Sequence, residues 1–466
     1  MLEMTAIKLA AAIKEKKLSV PEAVSAYIDV IEKNDKQINA FLTVSKESAL
    51  KQAQEVQSLI DKGEARSILA GVPVALKDNI STKDIETTCA SKILGGYKPV
   101  FNATVVEKLE RAGMIVIGKL NMDEFALGSL TSDGSAAAIV AGEVPITLGS
   151  DTGGSIRQSC SFCGVTGIKP TYGAVSRFGL AACASSLDQV GPLGQDIEDC
   201  AAMLSIISGP DEKDGTCIIE KPFDFSKPGT GIKGIKIGLP RIFLNDGIDE
   251  EVKTSVLKAA KEFEAAGATI EDFEMLYKDQ IIPAFCIIRA AEVSSNLARY
   301  DGLKYGYRSP NAKTLSEVYK LSRGEGFGVE VKRNVMLGSL VLSSGYYDIY
   351  FKKALQVRTL IKNAYDKLFK QFDIILSPTV PVCKPDKNID DPMKMYMGDI
   401  FTASVNLAGL PALALPCGFS KHSLPIGFQL IGRAFSENTL VDAARVYQNR
   451  TDHHTKKVLP AQGAKS

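Results

Sequence analysis

A chain of 466 residues, 45% hydrophobic and 23% charged, can bury a large core, and this composition excludes intrinsic disorder. Lys plus Arg number 55 against 54 Asp plus Glu, a net charge of +1, so no global field draws the chain to nucleic acid or to an anionic membrane. Only three histidines occur, His422, His453 and His454, which leaves a histidine-rich zinc site poorly supplied and makes Lys, Asp or Glu the expected base for activating any hydroxyl.

The opening Met1-Leu-Glu-Met-Thr-Ala lacks a basic region followed by an apolar block, and no later run approaches the about 18 apolar residues of a spanning helix. A cytoplasmic protein without a membrane segment is the expectation. Residues 1–62 read as helices: Ser19-Val-Pro-Glu22 is a capping box with Pro near the helix start, and Val24, Tyr27, Ile28 and Ile31 share one face, which points to core.

From Gly71 the texture changes to short apolar runs between helical stretches. Val72 to Leu76 predicts a strand, Thr104 to Ala112 a helix closed by Gly113, and Met114 to Ile117 a second strand. Ser135-Ala-Ala-Ala-Ile-Val-Ala-Gly142 follows as a small-residue helix, Val144 to Leu148 as a strand, and a glycine-rich loop opens another helix near Ser155. Gly229-Thr-Gly-Ile-Lys-Gly234 fits G-x-G-x-x-G but leads into the strand-like Ile235 to Leu239 and not into a helix, so it reads as a loop without nucleotide chemistry. A looser helical section runs from about 245 to 370, after which Ile374 to Leu376 and Ala412 to Leu415 restore buried strands. This punctuation is α/β. It predicts a single domain over 1–466, divided into a helical segment 1–62, a core 63–240, a helical excursion 241–370 and a return to the sheet over 371–466.

Nine scattered cysteines fit reduced thiols, and the pair Cys160-Ser-Phe-Cys163, with neither a second pair nor a neighbouring histidine, reads as packing. Two segments carry chemistry. Gly149-Ser-Asp-Thr-Gly-Gly-Ser155 places two glycines and a serine where a strand turns into a helix, so backbone N–H groups of Thr152, Gly153 and Gly154 can stabilise an oxyanion while Ser155 attacks; a tight turn with an N-cap serine is the plainer reading. Lys77 ends the run Val72-Pro-Val-Ala-Leu76 and is followed by Asp78-Asn79. Withdrawing an ammonium from water favours the amine, the form able to take a proton from a hydroxyl, although a strand-end lysine that snorkels to solvent is the commoner case.

Gly71-Val-Pro-Val-Ala-Leu-Lys-Asp-Asn79 together with Gly149 to Arg157 resembles the amidase signature family. The likeness covers nearly the whole chain and sharpens, through Gly118-Lys-Leu-Asn-Met-Asp-Glu-Phe125, Lys169-Pro-Thr-Tyr-Gly173, Ser185-Ser-Leu-Asp-Gln189, Leu342-Ser-Ser-Gly-Tyr-Tyr-Asp348 and Val405-Asn-Leu-Ala-Gly-Leu-Pro411, towards its members that serve tRNA-dependent amidotransferases as glutaminase subunits. The resemblance implies an amidase signature fold, a large mixed β-sheet flanked by helices on both faces. It implies a Ser–cis-Ser–Lys triad, with Ser155 as nucleophile and Lys77 as base, and a middle hydroxyl on a cis peptide that costs about 3–4 kcal/mol and persists only where its surroundings enforce it.

That middle position departs from the family's Gly-Gly-Ser-Ser-Gly-Gly-Ser: this chain has Gly128-Ser-Leu-Thr-Ser-Asp-Gly-Ser135, which puts Thr131 at the relay position with Ser132 beside it and Asp133 in place of a glycine. A preceding loop on the order of twenty residues, longer than most connections, is also missing. The resemblance further implies that a tyrosine, an arginine and an aspartate hold glutamine. By register these fall near Phe285 or Cys286, at Asn334 or Arg333, and at Asp399, with Arg333 the expected arginine after a one-residue shift.

Glutamine hydrolysis supplying ammonia to a B subunit is the implied activity, with ATP and Mg²⁺ in that partner and no cofactor or metal in this chain. The B subunit holds the tRNA, and a small C subunit clamps the two. A stand-alone amidase on another amide and a pseudo-enzyme that keeps only the fold and the complex are the alternatives.

Overall fold

The computed structural model describes residues 1–65, 67–128, 134–226, 229, 231–244, 247–384 and 392–456, with backbone alone at 392 and 393. The chain begins with α1 (Ala6–Lys14), α2 (Val20–Ile38), β1 (Phe41–Val44) and α3 (Lys46–Asp61). There follow β2 (Pro73–Lys77), α4 (Thr104–Arg111), β3 (Ile115–Leu120), α5 (Gly134–Val140), β4 (Ile146–Asp151), α6 (Ser155–Cys163), β5 (Thr166–Lys169), β6 (Gln189–Gly194), α7 (Ile197–Ile207) and β7 (Lys236–Pro240). Next come α8 (Glu250–Ala265), β8 (Thr269–Phe273), α9 (Lys278–Asn296), α10 (Leu315–Gly326), α11 (Val329–Val341) and α12 (Lys352–Leu368). The last elements are β9 (Ile374–Pro378), α13 (Pro392–Met397), α14 (Ala403–Ala408), β10 (Ala412–Phe419), β11 (Pro425–Gly432) and α15 (Glu437–Arg450).

The capping box at Ser19 forms: Glu22 donates its backbone N–H to Ser19 Oγ at 3.3 Å, and Ser19 donates its own to Glu22 Oε2 at 2.8 Å. These bonds satisfy N–H groups that a helix start leaves open. The face predicted from Val24, Tyr27, Ile28 and Ile31 is buried. Its neighbours are the apolar residues of β2 and β3, strands buried along their whole length.

Among the described residues eleven strands make one sheet in the order β1-β3-β2-β4-β6-β5-β10-β11-β9-β7-β8. β2 runs parallel to β3 and β4, and β7 parallel to β8 and β9, while the remaining pairs are antiparallel. Successive strand residues point to opposite faces. Accordingly Ile374 and Leu376 join a core with residues of α7, α8 and α15, whereas Ile375 joins one built from α9, α12 and α14. Leu430 and Ile431 divide in the same way. Helices therefore cover both faces, and the architecture is the mixed α/β sheet expected above.

Two strands depart from the sequence reading. The segment 1–62 is not wholly helical, because Phe41 pairs with Leu120 and Val44 with Gly118 to make β1. The excursion after 241 also begins later than expected, since β8 adds an edge strand beside β7 before the chain leaves for α9. β8 reads Thr-Ile-Glu-Asp-Phe and is largely exposed, so neither an apolar run nor clean alternation marks it; pairing alone makes it a strand. From α9 to its 3-10 extension at Arg299 the most apolar window reaches a mean hydropathy of 1.3, but 56% of it is buried within the fold. That is a core helix.

Candidate active site

β4 delivers the nucleophile. All six of its residues are buried, and at Asp151 the chain turns through Thr152-Gly-Gly into α6, whose first residue is Ser155. Both glycines are required by space. A Cβ on Gly153 would stand 2.4 Å from the Phe285 ring, and one on Gly154 would stand 2.5 Å from Thr402 Oγ1. Gly154 also has φ +151°, where a side chain is strained. The turn thus exposes the N–H groups of the first α6 residues beside Ser155, the arrangement that stabilises a developing oxyanion.

Buried polar contacts fix this turn from both sides. Arg157 grips Asp151 with two bonds, Nε to Oδ2 at 3.1 Å and Nη2 to Oδ1 at 3.0 Å, and neither side chain reaches solvent. The same guanidinium donates to Gln429 Oε1 at 2.8 Å and to the Thr402 carbonyl at 3.2 Å, tying the turn to β11 and to the loop before α14. Burial alone would raise the Asp151 carboxyl; the Arg157 charge and hydrogen bonds outweigh it and hold the group below its ordinary value. On the other side Thr152 donates its hydroxyl to Asp188 at 2.7 Å, and Asp188 also accepts the backbone N–H of Cys183 at 2.9 Å and of Ala184 at 3.2 Å. Burial pushes Asp188 up to about 6 in spite of these donors.

Lys77 is the last residue of β2, the parallel neighbour of β4, and is 1% exposed. Its Nζ donates to the Ser150 carbonyl at 3.3 Å, and Asn79 Nδ2 donates to Ser150 Oγ at 2.8 Å. The lysine and the serine therefore come from the C-terminal ends of adjacent parallel strands, with the amine anchored five residues before the nucleophile. Lys119 braces this strand end from β3: its Nζ lies 3.5 Å from Asp78 and donates to the Ile80 carbonyl at 2.7 Å. Burial pulls the Lys119 amine down to about 8 despite Asp78.

Thr131 and Ser132, the two candidate relay hydroxyls, lie outside the described residues. Their flanks are described. Gly128 lines the pocket that holds Ser155, and Gly134 opens α5, donating its N–H to the Asn121 carbonyl at 2.9 Å.

Thr152, Gly153, Gly154, Ser155 and Gln158 form one wall of the pocket, Phe285, Arg289 and Asp399 the opposite wall, and Asp123 and Gly128 part of its rim. The open space between them is about 10 Å³, room for about one water molecule. Asp399 is 3% exposed, accepts Gln158 Nε2 at 2.8 Å and lines the same pocket as Ser155.

Arg333 does not reach the pocket. Its side chain is 43% exposed on α11 and pairs with Glu330 one turn back. Asn334 is buried but donates to the Glu330 backbone carbonyl at 3.0 Å and to its Oε1 at 2.8 Å. The guanidinium of the pocket belongs to Arg289, on α9, a residue the sequence reading missed. It is 3% exposed, lies over the rings of Phe285 and Tyr396 at 5.1 and 4.8 Å, and stands 4.0 Å from Asp399. Burial works against its charge, but the neighbouring Cys286 and Asp399 outweigh that and raise it overall. A signal existed: Ile281, Phe285 and Ile288 mark the buried face of α9, and Arg289 falls on it at i+8.

Among the described residues no group of three or more His, Cys, Asp and Glu side chains is arranged to hold a metal ion.

Comparison with known proteins identifies the family and the fold. A family model described as Amidase matches residues 22–441. The A subunit of glutamyl-tRNA(Gln) amidotransferase from Lachnoclostridium phytofermentans is 50% identical, covering 98% of this chain and 99% of its own length. That alignment extends over 489 positions, more than the 466 residues of this chain, so the relative carries residues that this chain lacks. The crystal structure of the corresponding A subunit from Thermotoga maritima superposes with a TM-score of 0.79 at 36% identity, covering 97% of this chain and 96% of that one. A bacterial aryl acylamidase of the amidase signature family, 22% identical, superposes at 0.85 over 98% of this chain and 99% of its own, a likeness of fold alone.

Proposed function

Because the chain belongs to the amidase family, we propose that it is a glutaminase subunit whose Ser155 hydrolyses the side-chain amide of glutamine to supply ammonia for transamidation of a misacylated tRNA. Ser155 Oγ attacks the amide carbon while its proton passes through Thr131 or Ser132 to the Lys77 amine. The oxygen of the tetrahedral intermediate takes hydrogen bonds from the N–H groups of residues 152–155. As the C–N bond breaks, the lysine returns the proton to the leaving nitrogen and ammonia departs. Water then attacks the acyl-enzyme, the same lysine accepting its proton, and glutamate leaves with Ser155 restored.

The observation that carries this reading is the strand-to-helix turn whose two glycines admit no side chain, held beside a fully buried lysine on the adjacent parallel strand. Its oxyanion groups and Ser155 face the pocket that contains Asp399 and Arg289, one acidic and one basic side chain, a pairing suited to an amino-acid zwitterion. The ammonia would pass to a B subunit that holds Glu-tRNA(Gln) or Asp-tRNA(Asn) and uses ATP and Mg²⁺, with a small C subunit joining the two, all in the cytoplasm.

The test is glutamine hydrolysis with the partner subunits present, comparing the chain with Ser155→Ala and Lys77→Ala. Loss in both variants is the expected result, and equal rates in all three remove the mechanism. A second reading, an amidase acting on another amide, is favoured by the absence of a tyrosine at 285 and 286, where the resemblance expects one, and by the side chain of Arg333 pairing with Glu330 outside the pocket. A panel of aliphatic and aryl amides separates the two, since only the second reading expects one of them to outpace glutamine.

A further inference from the structure

Arg289 is a buried cation whose Nε–H has no acceptor among the described residues. Taking a guanidinium out of water costs several kcal/mol unless an anion and hydrogen-bond acceptors replace the solvent. Among the described residues the nearest carboxylate, Asp399, stands at 4.0 Å, beyond hydrogen-bond reach. Arg289 Nε has no hydrogen-bond partner among the described residues although it is buried. Phe285 and Tyr396 cover the guanidinium with their rings. Such stacking satisfies the face of the fork and leaves its N–H edge, the part that matches a carboxylate, for another group.

We propose that Arg289 is the carboxylate anchor of the Ser155 pocket, a role moved here from α11 to α9, and that the chain therefore selects amides carrying a carboxylate. The proposal rests on reading this pocket as the site of amide hydrolysis. Three features support it. Arg289 lies one helical turn beyond Phe285, whose ring touches Gly153 of the nucleophile turn. A turn rises about 5.4 Å, and the four-bond span from the amide carbon to the α-carboxyl carbon of glutamine is about 5 Å. Position 334 converges on the same place by another route: Asn334 and the Tyr396 hydroxyl both donate to Glu330, and the Tyr396 ring is one of the two that cover Arg289. Finally, Asp399, which accepts Gln158 Nε2 at 2.8 Å, stands 4.0 Å from Arg289 in the same pocket, so a carboxylate held at Arg289 brings an α-ammonium beside an acidic side chain.

Calorimetric binding to the full chain carrying Ser155→Ala, which prevents turnover, tests the anchor directly. Glutamine and glutarate bear the carboxylate; butyramide has the amide alone. Adding Arg289→Ala should weaken glutamine and glutarate about 10- to 100-fold, the span expected for a charge-assisted bond, and Asn334→Arg in that background should restore part of the loss. Arg289→Lys, which keeps the charge without the fork, should weaken both ligands about tenfold and serves if the alanine variant does not fold. Glutarate binding unchanged in a folded Arg289 variant overturns the proposal. Binding that depends on Arg289 in a chain whose unaltered form hydrolyses no amide upholds the anchor and sinks the glutaminase reading instead.

Discussion

The two walls of the pocket are built on different principles. The nucleophile wall comes from the ends of β2 and β4 and the start of α6, where the backbone itself does the positioning: Gly153 and Gly154 exist because Phe285 and Thr402 leave no space for a Cβ, and the Asp151–Arg157 pair locks the turn from beneath. The recognition wall comes from side chains on α9 and at residue 399, segments that meet only in the folded molecule. There a guanidinium can be supplied from more than one position, because what matters is where its tip arrives. Backbone-made sites tolerate little change, whereas side-chain-made sites can be re-sourced.

The largest expected effects lie in the nucleophile wall. Ser155→Ala and Lys77→Ala should each lower glutamine turnover by about 10⁴-fold or more, and the double variant by little beyond either one, because groups acting as a unit do not add. Steady-state kinetics on the assembled complex checks this; additive losses would mean that the two side chains work separately. Next, Asp151→Asn strands the buried Arg157 charge. Breaking one side of a buried pair costs about 3–5 kcal/mol, so denaturant unfolding should report a loss of that order, with activity falling alongside it. A loss under ~1 kcal/mol would show that the turn does not depend on its ion pair.

How far the sequence revealed each wall follows from the same distinction. Lys77, Thr152, Gly153, Gly154 and Ser155 occur in two short stretches, and strand-end lysine and strand-to-helix glycines are local features that can be read one residue after another. Asp399, singled out by register, lines the pocket. Arg289 was not singled out: its place on the apolar face of α9 marks it as buried, but its part in the pocket depends on Phe285, Tyr396 and Asp399, which only the fold brings beside it. The strands show the same split. β2, β4, β9 and β10 announce themselves as apolar runs, whereas β1 has four residues between two helices, and the polar β8 becomes a strand through the register Ile237↔Ile270 with β7.

A change at the far end of β4 should separate stability from chemistry. Glu143 precedes that strand, is buried, and is pushed up to about 8, first by burial and then by the charge of Asp35. A folded-state value above the unfolded one means that this group's contribution is fully present below about 4.5 and is lost as pH rises through about 8. Glu143→Gln should therefore flatten the decline of melting temperature across that window and stabilise the chain at pH 8 by about 1–3 kcal/mol, while kcat stays put. A variant whose melting temperature falls with pH as steeply as the parent's would remove Glu143 as the cause.

The smallest effect is expected at Arg333, and it bears most directly on the recognition wall. This arginine was the expected substrate ligand, yet it is 43% exposed and its partner Glu330 keeps its bonds to Asn334 and Tyr396 without it. An exposed pair one turn apart on a helix contributes ~0.3–0.5 kcal/mol, so Arg333→Ala should shift KM for glutamine less than about twofold. Arg289→Ala, on the neighbouring helix, should shift it by at least about tenfold. Measuring KM for both variants in the same assay is decisive because their predicted ranks oppose the sequence register: a larger effect at Arg333 would mean that α11 still supplies the anchor and that Arg289 merely fills the pocket.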